Sequence, residues 1–179
     1  MDIIYRRLKP TESLIYRELR LECLKNHPES FGSSYESQAT LSQLAYEKFI
    51  KESNPQQFVV GAFAQDQLIG ICAFAQELKT KRAHEGTIIQ VYVKSGYRGK
   101  QVGRNMLAHI INEAFVMPAL EQISISVSIQ NKNALKLYQQ LGFEEFGVHK
   151  NYLKYEGQYF DVSFLQMSKT KYLAETNKE

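Results

Sequence analysis

The chain has no tryptophan, only four prolines and two cysteines, and it lacks any long apolar run. Each shortage removes a class of protein. Cys23 and Cys72 lie far apart and in different local patterns, so neither a disulfide framework nor a zinc site is expected. His27, His84, His109 and His149 show neither H-x-x-x-H nor H-E-x-x-H spacing, and no metal is expected. No stretch approaches the roughly 18 apolar residues of a membrane span. The opening "MDIIYRRLKPTES" lacks the apolar centre of a signal peptide, which makes the cytoplasm the expected location and a membrane partner unexpected. Charge of one sign is scarce too, since 22 Lys and Arg stand against 19 Asp and Glu, for a formal net charge of +3. The cations are spread along the chain rather than gathered into a stripe, so no nucleic-acid partner is indicated.

What remains is an ordinary globular composition, 44% hydrophobic over 179 residues, enough for one domain with a sizeable core. "DIIYRRL" reads as an opening strand, and Pro10-Thr11-Glu12-Ser13 offers turn and N-cap chemistry before a helix from Leu14 to about Leu24. "FGSSYESQAT" is polar and reads as a loop, whereas Leu41 to Ile50 has helical spacing. "FVVGAFA" and "LIGICAFA", parted by Gln65-Asp66-Gln67, carry the signal of a β-hairpin. The polar segment Gln76 to Glu85 leads into "TIIQVYV" (Thr87 to Val93), a buried strand. Val102, Met106, Leu107, Ile110, Ile111, Ala114 and Phe115 then recur at helical spacing.

"QISISVSIQ" alternates Ile123, Ile125, Val127 and Ile129 against three serines, as a strand with one buried face does. "NKNALKLYQQLGF" has helical spacing, with Asn131 at the N-cap and Gly142 where a helix stops. "NYLKYEGQYFDVSFLQM" predicts a terminal hairpin about Glu156-Gly157, whose apolar character would suit a homodimer. The expected architecture is an α/β fold: one mixed central sheet flanked by helices, with a right-handed parallel strand-helix-strand unit from Thr87 to Ile129 at its centre. Residues 1–168 are expected to form one domain and residues 169–179 a polar C-terminal tail.

The stretch that carries chemistry is "GYRGKQVGRNM", residues 96–106, between the buried strand and a helix N-terminus. The first turn of a helix leaves N–H groups unpaired at the positive end of its dipole, which favours anions. Glycines let the backbone approach a phosphate, and Arg98, Lys100 and Arg104 add charge around it. Taken alone, a plain strand-to-helix turn with solvated cations fits equally well. Two common phosphate motifs are excluded: Gly96, Gly99 and Gly103 do not have G-x-G-x-x-G spacing, and no G-K-[ST] tripeptide occurs.

Arg98-Gly99-Lys100-Gln101-Val102-Gly103 resembles the [QR]-x-x-G-x-[GA] acetyl-CoA-binding motif of the GNAT superfamily of N-acetyltransferases, with Gln101 where the family's central glycine usually sits. A left-handed backbone there would cost a non-glycine residue roughly 1–2 kcal/mol. Beyond the next strand, Asn131, Ala134, Leu137, Tyr138, Gly142 and Phe143 are similar to the family's N-x-x-A-x-x-L-Y-x-x-x-G-F segment. Together, in this order and spacing, the two motifs are a strong match, and the resemblance covers about Ile3 to Met167.

The resemblance implies a GNAT fold, acetyl-CoA as co-substrate, and transfer of its acetyl group to a primary amine by direct attack in a ternary complex. The acceptor would be a small-molecule or peptide amine. Backbone N–H groups of Arg98, Gly99, Lys100, Gln101, Val102, Gly103 and Arg104 would hold the pyrophosphate. The strand edge at Val91, Tyr92 and Val93 would pair with the pantetheine arm, and one of its N–H groups would stabilise the oxyanion. Tyr138 matches the general acid that protonates the departing CoA thiolate; a phenol with pKa near 10 suits the task, although Tyr138 also fits a core aromatic on an amphipathic helix. Asn131 matches a cofactor-contacting asparagine and equally fits a helix N-cap.

Many relatives place a carboxylate where this chain has Thr87. The nearest acidic residue is Glu85, which faces the same way along a strand; it is the expected general base or else a solvated charge, with water as the substitute. The acceptor site is expected from His27 to Gln38, Gln76 to Glu85 and the terminal hairpin. A non-catalytic acyl-CoA-binding sensor or regulatory module is the second reading, against which the retained Tyr138 argues.

Overall fold

The β-branched and aromatic runs pair into a single seven-stranded sheet. The structure, a computed structural model, describes residues 2–176. Its strands are β1 (Ile3–Arg7), β2 (Gln57–Ala64), β3 (Gln67–Gln76), β4 (Glu85–Val93), β5 (Gln122–Ser128), β6 (Glu144–Tyr155) and β7 (Gln158–Ser168), in the spatial order β1-β2-β3-β4-β5-β7-β6. Every neighbouring pair is antiparallel except β4 and β5. The helices are α1 (Ser13–Asn26), α2 (Tyr35–Ala39), α3 (Ala45–Lys51), α4 (Val102–Phe115), α5 (Lys132–Gln140) and α6 (Lys169–Thr176). The parallel pair is joined through α4, as the pattern of the central unit predicts.

The near-continuous apolar run of β3 reflects burial on both faces of the sheet. Ile69, Cys72 and Phe74 pack in one core cluster with Val102, Met106, Leu107, Ile110 and Ile111 of α4. Leu68, Ile71 and Ala73 pack in the other with Tyr16, Leu19 and Cys23 of α1 and Tyr46 and Ile50 of α3. Both cysteines are free and buried.

Three segments differ from the sequence pattern. The polar loop contains α2, whose N-cap Ser34 accepts from the Ser37 N–H. The helix expected from Leu41 begins only at Ala45, because the Glu47 carboxylate reaches back to accept from the Leu44 N–H at 2.6 Å and starts the helix there. The segment expected as a polar tail forms α6 as far as Thr176, with the Tyr172 ring 5.2 Å from that of Phe115; residues 177–179 lie outside the described residues. No helix among the described residues is long and apolar enough to cross a membrane.

The feature that makes room for a ligand is a break between β4 and β5. They pair only from Glu85 with Gln122 to Ile88 with Ile125. Just beyond, β4 carries an extra residue against β3, since Ile71 pairs with Tyr92 and Ala73 with Ile89. Gln90 takes the left-handed backbone that this bulge needs, at φ 58°. A bulge bends its strand and increases the local twist, so β4 turns away from β5 and its edge past Ile88 has no strand partner on that side. The Tyr16 phenol of α1 donates to Gln90 Oε1 at 2.8 Å and ties the bulge to that helix.

Candidate active site

Two cavities open where the strands part. The larger, of about 1160 Å³, is a groove lined by Val91, Tyr92 and Val93 of β4, by the turn and first residues of α4, and by Asn131, Ala134, Leu137 and Tyr138 around α5. At its α4 end the backbone is shaped by two left-handed residues, Gly99 at φ 75° and the N-cap Gln101 at φ 60°. The Gln101 side chain caps nothing. A Cβ added at Gly99 would meet no atom within 4 Å, so this stretch of backbone lies open beside the helix N-terminus. Arg104, in the first turn of α4, is exposed and lines the groove. Backbone N–H groups, a helix dipole and a cation together fit a pyrophosphate.

The smaller cavity, of about 310 Å³, lies deeper, between α1, the segment before α2, the β4 bulge, β5 and the β6–β7 hairpin. Its lining includes Arg20, Ser30, Gln90, Ser126, Tyr152 and Val162, and no carboxylate. Of the β5 serines, Ser126 and Ser128 line this cavity, and Ser128 is only 9% exposed, whereas the Ser124 hydroxyl meets Thr87 at 3.0 Å.

The two cavities meet at Ser30, Phe31, Val91, Ser128, Asn131 and Tyr138, which line both. Tyr138 projects from α5 and is 5% exposed. Burial, and to a lesser extent Cys72, holds its phenol pKa above the ordinary value. Among the described residues the hydroxyl has no hydrogen-bond partner. No solvent-sealed side-chain nitrogen or oxygen among the described residues lacks one, so this oxygen opens into the cavities. Asn131 caps α5 by accepting from the Ala134 N–H at 3.2 Å and also lines both spaces.

Most residues singled out in the sequence line the groove: Val91, Tyr92, Val93, Arg98, Gly99, Gln101, Val102, Gly103, Arg104, Asn131 and Tyr138. The Tyr92 phenol itself turns to α1 and donates to Glu22 at 2.9 Å. Arg98 donates through Nε to the Val93 carbonyl at 3.1 Å and meets His27 Nε2 at 2.7 Å, so it braces the turn against the end of α1.

Two of the expected residues lie outside the cavity linings. Lys100 is not part of the groove lining, because its ammonium folds back onto the Gly96 carbonyl at 3.1 Å and lies 5.5 Å from the centre of the Tyr97 ring. Glu85 lines neither cavity. It starts β4 where that strand is still paired with β5, and its carboxylate accepts from Arg82 at 2.7 and 3.1 Å. The first β4 residue that lines the inner cavity is Ile88, three residues further on, roughly 10 Å at about 3.3 Å per residue, so the Glu85 carboxylate stands apart from the lining. The rest of the Gln76 to Glu85 segment is likewise absent from both linings. Sequence reasoning missed Arg20, Gln90, Ser126 and Ser128; the serine face of "QISISVSIQ" was a signal, but it reads equally as a solvated face.

A split parallel pair with an anion-holding helix end on one side and a buried phenol at the junction defines the site of a CoA-dependent acyltransferase. The chain belongs to the GNAT acetyltransferase family, for residues 16–164 match the acetyltransferase (GNAT) domain. It is an acetyl-CoA-dependent N-acetyltransferase. The spermidine N(1)-acetyltransferase of Vibrio cholerae serotype O1 is 29% identical over 143 residues, covering 80% of each chain. Among solved structures, mutant forms of the spermidine/spermine N-acetyltransferase SpeG from Vibrio cholerae share the fold at a TM-score of 0.73 and 22% identity, over 98% of this chain and 99% of that one. YncA from Salmonella typhimurium, solved with its cofactor acetyl-CoA, shares it at a TM-score of 0.73 and 16% identity, over 94% of each chain.

Proposed function

We propose that the protein joins the two cavities in one reaction, in which a neutral primary amine in the inner cavity attacks directly and takes the acetyl group at the junction. The observation that carries this reading is that Tyr138 and Val91 line both spaces. Bound acetyl-CoA supplies an activated acetyl group as a thioester. The α4 N-terminus, the backbone from Arg98 to Gly103 and the Arg104 side chain hold its pyrophosphate, with Lys100 contributing through its backbone alone. The open β4 edge from Val91 to Val93 aligns the pantetheine arm, and a backbone N–H there offsets the negative charge that develops on the acetyl oxygen. Tyr138, kept protonated by burial, donates its proton to the departing sulfur. No carboxylate lines the inner cavity, so the amine enters as its neutral fraction or loses its proton to water.

The test is Tyr138→Phe, which keeps the ring packed in α5 and removes one hydroxyl. Turnover should fall by roughly 10²- to 10⁴-fold, while calorimetry should show unchanged acetyl-CoA affinity. Near-normal turnover, with the chemical step limiting, would reduce Tyr138 to a packing residue.

A further inference from the structure

The inner cavity contains a buried cation that no carboxylate among the described residues neutralises. Arg20, on α1, is 5% exposed and lines that cavity. Its guanidinium lies 4.7 Å from the centre of the Phe31 ring, and Nη1 is 3.7 Å from Cys23 Sγ. Burial pushes the Cys23 thiol up to about 12, so the sulfur is neutral and no counter-ion. No carboxylate lies within ion-pair distance of Arg20 among the described residues. Three on the surrounding elements are held elsewhere. Glu47 is held by Arg17 at 2.7 Å and by the Leu44 N–H. Glu22 accepts from the Tyr92 phenol at 2.9 Å and faces Lys94 at 3.7 Å. Glu29 accepts from Ser30 at 3.0 Å and faces His27 at 3.8 Å. Arg17, one turn earlier on the same helix, has the partner that Arg20 lacks.

A buried guanidinium without an anion is costly, and folded proteins retain such a group where a partner arrives from outside. Because no solvent-sealed side-chain nitrogen among the described residues lacks a partner, the unused N–H groups of Arg20 open to the cavity. Gln90 lines the same space, with its Oε1 occupied by the Tyr16 phenol and its amide N–H groups left over. The rest of the wall mixes apolar residues, including Phe31, Val127, Leu153 and Val162, with polar ones, including Ser30, Ser126, Ser128 and Tyr152. The volume of about 310 Å³ is at the small end for ligand pockets.

We infer that Arg20 receives the carboxylate of the acceptor, so that the amine acetylated belongs to a small carboxylate-bearing molecule, an α-amino acid. The inference rests on the amine acetylation proposed above and narrows its substrate class. A planar guanidinium pairs with a carboxylate through two parallel hydrogen bonds, which also fixes the orientation of the neighbouring amine. A polyamine would meet the opposite environment, with no lining carboxylate to receive its charges and a buried cation to repel them.

The experiment compares kcat/KM for L-leucine, L-methionine and L-phenylalanine with those for their amides, their decarboxylated amines and spermidine, on wild type, Arg20→Gln and Arg20→Met. Wild type should favour the acids over the decarboxylated amines by roughly 10²-fold or more. Both variants should lose that preference through KM for the acids, with rates on the amides and decarboxylated amines retained. Wild type that acetylates spermidine or the decarboxylated amines as well as the acids overturns the inference and leaves amine acetylation standing. Failure to acetylate any of the panel counts against the catalytic reading instead, and binding then decides the carboxylate site. N-acetylleucine and N-acetylleucinamide are titrated into the CoA-loaded wild type, a comparison that needs no variant to fold. Tighter binding of the acid supports the inference, and equal binding overturns it.

Discussion

Along the groove, the residues from Val91 to Arg104 come from one continuous strand-turn-helix stretch, and they offer mainly backbone. Around the inner cavity, Arg20, Ser30, Gln90, Ser126 and Tyr152 come from separate parts of the chain and are brought together by packing. The two spaces touch, and on the function proposed above they recognise ligands by different means. A pyrophosphate is met by N–H groups and a helix end, which almost any side chain tolerates provided the dihedral angles are right. An acceptor is met by side chains whose identities must be correct one at a time. The groove is therefore the shared part of such an enzyme and the cavity the individual part.

The contrast breaks most visibly if charge is placed on the backbone side. Gly103→Asp should weaken acetyl-CoA binding by about 100-fold or more, since like charges brought together cost several kcal/mol. A Cβ at Gly103 would meet Leu137 and Val93 side-chain atoms only at 3.8 Å, so Gly103→Ala should bind almost normally. Calorimetry on both variants separates repulsion from crowding, and equal affinity for the Asp variant would remove the pyrophosphate from this turn.

The cavity side is sharpened by pH. With no carboxylate in its lining, kcat/KM should rise about tenfold per pH unit until the acceptor amine is neutral, without a break in the carboxylate or histidine range. The raised pKa of the Tyr138 phenol keeps the acid protonated at pH values where a free phenol would begin to ionise, so activity should hold rather than fall as pH approaches 10. A break near pH 6 would reveal a protein base.

Smaller effects follow at Glu85 and Gln101. Glu85→Gln should leave kcat within about twofold, as a change to a partly exposed side chain away from both spaces. A fall of 100-fold in steady-state assays would return Glu85 to the mechanism. Gln101→Gly should bind acetyl-CoA as well as wild type or slightly better and relieve about 1 kcal/mol of backbone strain, because the residue already sits at φ 60°. Chemical denaturation reads that change; a sharp loss of affinity would mean that the Gln101 side chain contacts the ligand.

Much of this was legible from local pattern. The helix over Val102–Phe115 buries the same apolar residues that its spacing marked, and Gly142 ends α5 at φ 94° as a left-handed stop. The Glu156-Gly157 turn and the parallel β4–β5 pair also follow from nearby residues. The place of Glu85 outside both linings is not legible in sequence, because period-two facing says which side of a strand a residue occupies but not where its neighbour strand departs. That departure depends on a bulge at Gln90, held partly by a phenol 74 residues earlier in the chain. Arg20 was overlooked because in sequence it is one cation of an ordinary helix, no different from Arg17.

By itself, then, the sequence determined most of the order of elements and the strand-turn-helix at the groove, since these rest on hydrophobic period, turn residues and a contiguous helix N-terminus, and the family through the resemblance of its two motifs. Only the tertiary structure decided which cation is paired and which is not, which serines face a cavity, and which tyrosine opens its hydroxyl at the junction. Those outcomes depend on desolvation and on distances between residues far apart in the chain, and neither exists until the two faces of the sheet are packed.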